Sequence, residues 1–188
     1  MESSNPQFGL IVAYLLPGFL ALGGIVVLVP AVTQWLQPVA YQGVAGIAPP
    51  IYAVLAATAI GMILSCFRWL IIDHLHAWTG VTAPVWESDR LEQNMNAVNF
   101  MVEHHYRYYQ FYSNTLIAVI WAYAVNRYTG SVSFFGPMTD LALVVLCIVL
   151  FAGSRDALTK YYDRVSRLIT KVAEESELVK YDKRSTPR

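Results

Sequence analysis

The chain has 188 residues, no formal net charge, 56% hydrophobic side chains and only 14% charged ones. Soluble domains run at about 45–50% apolar and about 25% charged, so this composition turns the chain toward lipid. Zero net charge removes the broad basic field by which nucleic-acid binders find their ligand, and nucleic acid is not an expected partner.

A bilayer core about 30 Å thick needs about 20 apolar residues in a helix. In chain order, Phe8 to Pro30 is the first such run, with Pro17-Gly18 at its centre predicting a kink. No Lys or Arg precedes it, as a secretory signal would require, so a retained span is expected over 8–30. The second span is expected over 50–68, with Pro50 in its first turn and Arg68-Trp69 as an interfacial pair. A third, over 108–126, is rich in aromatics and carries Ser113, Asn114 and Thr115, which also suits a helix lying on the membrane. The fourth covers 137–153, with Thr139 as its N-cap and Asp140 behind it. Cys66 and Cys147 fall in separate apolar runs and read as packing residues.

The expected fold is therefore all-α, a polytopic integral membrane protein with four transmembrane helices over residues 1–153. A helical middle loop (69–107) and an amphipathic helix with a flexible tail (154–188) complete it. Lys and Arg set the orientation. Residues 31–49 carry no charge and 126–139 only Arg127, whereas 68–107 hold three arginines and 155–188 nine basic residues. Both termini and the middle loop are thus expected in the cytoplasm, in a bacterial inner membrane, with the lipid bilayer as the first partner.

Ala53, Ala57, Gly61 and Ser65 recur every four residues and predict a ridge of small side chains where another helix approaches closely. That neighbour is a span of the same chain or a second subunit. In the tail, Leu158, Tyr161, Val165, Leu168 and Val172 follow a 3-4-3-4 spacing, a short heptad seam for a homo-oligomer or for the chain's own middle loop. Within that loop Ser88 is placed to cap a helix whose stripe is Leu91, Met95, Val98 and Val102. Five aromatics in Tyr106–Tyr112 then form an interfacial belt.

All four histidines border the second and third spans. His74 and His76 follow one and His104 and His105 precede the other, with Asp73, Glu103, Arg68 and Arg107 at the same level. Imidazoles beside carboxylates are acid–base pairs and ligands for zinc or iron. His74, His105, Asp73, Glu103, Arg68 and Arg107 are the candidate catalytic residues, and His74, His76, His104 and His105 the candidate metal ligands; no cofactor is specified. Residues two apart on a helix do not share a face, so a site would draw one histidine from each pair. Glu103-His104-His105 resembles a histidine box of membrane desaturases, which demand more histidines than these four. Arg68 and His74 resemble the Arg–His spacing of HEPN ribonucleases, with Trp69 where that family usually has a polar residue. Four spans in so short a chain are similar in architecture to the membrane subunit of the Kiwa anti-phage system.

The function expected is a small oligomeric inner-membrane component, a channel or a scaffold for cytosolic partners. The alternatives are a membrane-interface enzyme using the histidine cluster, with or without a metal, and a membrane effector of bacterial defence. A transporter ranks behind them, because the spans carry almost no ionisable residues.

Overall fold

The computed structural model describes residues 9, 11–33, 48–84, 95–130 and 136–185, with side chains from residue 50 in the second long stretch and through residue 170 in the last. Among the described residues every regular element is helical. The α-helices are α1 (Leu16–Leu28), α2 (Ala48–Arg68), α3 (His74–Trp78), α4 (Met95–Met101), α5 (Arg107–Thr129) and α6 (Pro137–Ser185). Three π-helical turns join or precede them: Ile11–Leu15 before α1, Trp69–Asp73 between α2 and α3, and Val102–Tyr106 between α4 and α5. The proposed Ser88 cap, Leu91, the charge-free loop over 34–47 and the last three residues lie outside the described residues, as does the Val172 side chain.

Among the described residues, three helices are long and apolar enough to cross a membrane, over Ile11–Leu28, Pro50–Trp78 and Pro137–Thr170. α5 is 23 residues long but too polar to join them by composition. It is nevertheless the helix the others surround, packing against α1, α2 and α6. Its buried residues are Tyr109, Gln110, Ser113, Asn114, Thr115, Leu116, Ala118 and Val125. Ala21, Leu64 and Ala118 form one core cluster where α1, α2 and α5 meet; Ile72, Leu116 and Leu150 form another that brings in α6.

The small-residue ridge of α2 receives α1 of the same chain. A Cβ on Gly18 would lie 1.8 Å from the Ala57 carbonyl oxygen, and one on Gly61 would lie 2.1 Å from that of Tyr14. Glycine at both positions is thus what lets the two backbones touch. In the tail seam, Leu158 packs with Tyr109 and Ala157, Tyr161 meets Tyr106, and Val165 is fully buried. Leu158 and Tyr161 are thus used against the chain's own Tyr109 and Tyr106.

The helices differ from expectation at three places, in the end of the second, the cap of the fourth and the treatment of Pro17. Beyond Arg68 the second helix continues to Trp78 instead of opening into a loop. The π turn explains how: it brings residue i+5 back over residue i, so Arg68 Nη1 reaches Asp73 Oδ1 at 3.2 Å and His74 Nδ1 lies 3.1 Å from the Trp69 carbonyl. Gly80, at φ 94°, then ends the helix as an αL cap. The fourth span starts at Pro137, and the Gly136 carbonyl accepts from the Thr139 and Asp140 amides, so Thr139 sits inside the first turn rather than at the cap. Pro17, finally, is absorbed by the π turn before it. Proline cannot donate to the carbonyl four residues back, which is that of Ala13. Asn114 Nδ2 on α5 donates to this oxygen at 2.9 Å instead.

Candidate functional site

Polar side chains buried among apolar helices must find partners or remain at a cost. Among the described residues the buried polar ones are Arg68, His76, Gln110, Ser113, Asn114, Thr115 and Ser154.

The centre is Arg68, 6% exposed. Besides Asp73, its guanidinium faces the rings of Tyr109 and Tyr106, with Cζ 5.0 and 5.9 Å from their centroids. The Tyr109 hydroxyl donates to Asp73, so one carboxylate serves both a cation and a phenol. A buried cation with an ion pair and two aromatic faces is compensated in several ways at once. Arg68 Nε still has no partner.

His76, on α3, is fully buried, stacked on Phe151 at 4.8 Å with Nε2 2.8 Å from Ser154 Oγ. The Ser154 hydroxyl donates to the Phe151 carbonyl at 3.0 Å. A serine has one hydrogen, so with that bond made Nε2 carries the histidine proton and donates to Ser154. Nδ1 is then a bare acceptor, buried and unpartnered. The pair has the spacing of a nucleophile and its base. However, neither side chain is exposed, and the hydroxyl hydrogen is already committed to a backbone carbonyl. The pair works as a clamp of α3 on α6. Arg155, the next residue, adds to it by donating to the Thr79 hydroxyl and, at 2.9 Å, to the Thr79 carbonyl.

A second chain of polar contacts ties the π turn before α1 to α5. Arg107 Nε lies 3.5 Å from Glu103 Oε1; its Nη1 donates to Gln110 Oε1 at 3.1 Å, and Gln110 Nε2 donates to the Tyr14 hydroxyl at 3.1 Å. One turn further along α5, Asn114 Nδ2 donates to Ser65 Oγ at 3.0 Å as well as to Ala13.

The four histidines do not converge. His74 is exposed and edge-on to Trp69, His76 is buried, His104 stacks on Phe100, and His105 Nε2 accepts from Arg164 at 2.5 Å. Among the described residues no three His, Cys, Asp or Glu side chains gather so as to hold a metal ion. Arg68 points inward and His74 outward, so the ribonuclease-like pair is not formed. Of the candidate residues, Arg68 with Asp73 and Arg107 with Glu103 are brought together. Burial and the positive charges of Arg164, His104 and Lys160 hold the His105 imidazole below its usual value, against a smaller opposing effect of Asp156.

Tyr109, Ser154, Gln110 and Tyr14 were not singled out by the sequence. Tyr109 was one of five aromatics in a row, and the others carry no local motif. Ser113, Asn114 and Thr115 were the residues by which the sequence marked this helix as polar. No protein-family model matches the chain, and no curated protein or solved structure is similar to it.

Proposed function

We propose that the chain is a small oligomeric inner-membrane scaffold of four spans, α5 being the fourth, which extends α6 into the cytoplasm to meet protein partners. The observation that carries this reading is the continuity of α6 over 49 residues. At about 1.5 Å per residue it is about 74 Å long, more than twice the hydrocarbon core. Its first half is apolar and its second bears Lys160, Arg164 and Arg167, so one rigid rod joins lipid to water. The His76–Ser154 and Arg155–Thr79 contacts clamp that rod where the two halves meet, which suits a fixed projection angle.

The polar composition of α5 is compatible with a span because Gln110, Ser113, Asn114 and Thr115 are buried against other helices and do not meet lipid. Arg68, Arg107, Arg155 and Arg164 gather at one end of the fold and Arg127 at the other, which favours the first end inside.

Single cysteines in a Cys66→Ser/Cys147→Ser background test the topology. With a membrane-impermeant maleimide, Tyr128→Cys is expected to label only from outside and Glu175→Cys only from inside. Labelling of both from one side would sink the four-span reading. A monomer by light scattering in detergent would remove the oligomer. Cross-linked partners that survive truncation after Thr170 would remove the scaffold.

A further inference from the structure

We propose that a cleft between α2 and the π turn Ile11–Leu15 that leads into α1 binds one ester-linked phospholipid from the bilayer, recognised through its ester carbonyls and not its headgroup charge. The cleft has a volume of about 630 Å³, within the range of small-molecule sites. Ile11, Leu15, Val54 and Met62 form its walls. Both helices are among those apolar enough to cross a membrane, so the occupant comes from the lipid phase.

What distinguishes the cleft from an ordinary lipid-facing groove is its hydroxyls. Tyr14 and Ser65 line it, and each accepts a hydrogen bond from α5, from Gln110 and Asn114 respectively. Each hydroxyl also has one hydrogen to give, and neither has an acceptor for it among the described residues. The third hydroxyl in the lining, that of Thr58, shows the contrast: it donates to the Val54 carbonyl of its own helix at 2.8 Å. Two open donors in an apolar setting call for an acceptor, because a donor facing hydrocarbon alone is costly.

Depth identifies that acceptor. Ser65 lies one turn before Arg68, and Tyr14 is linked through Gln110 to Arg107, so both donors lie toward the basic end of the spans. That is the level of the glycerol esters. From Ser65 back to Val54 the wall runs about 16 Å toward the bilayer centre, room for the acyl chain. Charge narrows the choice further. Arg68 and Arg107, the cations nearest the cleft, have Asp73 and Glu103 at 3.2 and 3.5 Å. With both neutralised, a zwitterionic head is accommodated as well as an anionic one.

The test uses the full chain in detergent, with native mass spectrometry reading bound lipid during competition between diester- and diether-linked phosphatidylcholine of equal chain length. Two neutral hydrogen bonds predict a diester preference of about 5- to 10-fold. Diester phosphatidylglycerol should match diester phosphatidylcholine within about two-fold. In the Tyr14→Phe/Ser65→Ala double variant the preference should fall to about one. Val54→Trp, which keeps both hydroxyls, should lower occupancy by either linkage. No ester preference in the unaltered chain, a preference that survives in the double variant, a requirement for anionic lipid, or full occupancy of the Val54→Trp variant would each overturn the site. The proposal rests on the membrane reading, and flotation with phosphatidylcholine vesicles separates the two. A chain that floats without ester preference sinks only the lipid site, whereas one that does not float sinks both.

Discussion

α5 and the first half of α6 are sorted in opposite ways. On α6, Leu141, Val144, Ile148 and Val149 are exposed, whereas on α5 Ser113 and Asn114 are completely buried. In water such an arrangement would be inside out. In lipid it follows from the solvent: apolar side chains lose nothing by facing hydrocarbon, while polar ones gain by facing other helices. The most polar of the four expected spans is therefore more enclosed than the apolar half of α6, and a polar stretch marks a centre where in a soluble protein it would mark a surface.

The comparison breaks most easily where backbones touch. Gly61→Leu or Gly18→Leu is expected to cost ~3 kcal/mol or more, because the obstruction is a carbonyl that cannot swing aside. Gly23→Leu, with nothing within 4 Å of its Cβ, should stay within ~0.5 kcal/mol. Reversible unfolding in mixed detergent micelles checks the pair, and equal losses would mean that α1 and α2 are not in contact.

Asn114→Leu tests the polar interior of α5 directly. It makes the helix more apolar yet removes the side-chain donors to the Ala13 carbonyl and to Ser65 Oγ, so a loss of ~2 kcal/mol is expected. Ile148→Ala on the outer face of α6 should change the same measurement by under ~1 kcal/mol. If Asn114→Leu stabilises the fold, the buried position of Asn114 is wrong.

The histidines give a smaller contrast between inside and outside. His76→Ala removes a stacked ring and the proton given to Ser154, for ~2 kcal/mol, whereas His74→Ala should cost no more than ~0.5 kcal/mol.

The smallest effect concerns pH. The imidazole of His105 lies below its ordinary 6.5 in the folded state, facing Arg164, His104, Lys160 and Asp156. The open state therefore binds more protons below pH 6.5. The contact with Arg164 is at full strength above that value and weakens as pH falls toward the folded value, with no further loss below it. Hydrogen exchange around Arg164 should accelerate between pH 7.5 and 5.5 after correction for intrinsic rates. His105→Asn, which cannot titrate, should abolish the change.

Much of the architecture was legible because long apolar runs show directly in the composition. Pro50 in a first turn and the small-residue ridge of α2 act locally and appear near their expected places, whereas the end expected at Arg68 is carried on to Trp78. The site was legible only in part. Arg68, Asp73, Glu103 and Arg107 could be marked as candidates because charge beside an apolar run stands out. Tyr109 and Ser154 could not, since a tyrosine in an aromatic belt and a serine after a glycine carry no sign of their distant partners. The histidines misled for the opposite reason: neighbours in sequence, they leave their helices in different directions.

The sequence by itself led to an all-helical chain with four expected spans, three of which are long and apolar enough to cross a membrane, because the length of an apolar run is a local property. It also marked the junction at which charge meets those segments. Only tertiary structure decided that α5 lies at the centre, that the α2 ridge serves α1, and that Asn114 supplies the donor Pro17 lacks. Each of these depends on which helix lies beside which, and no single helix carries that information.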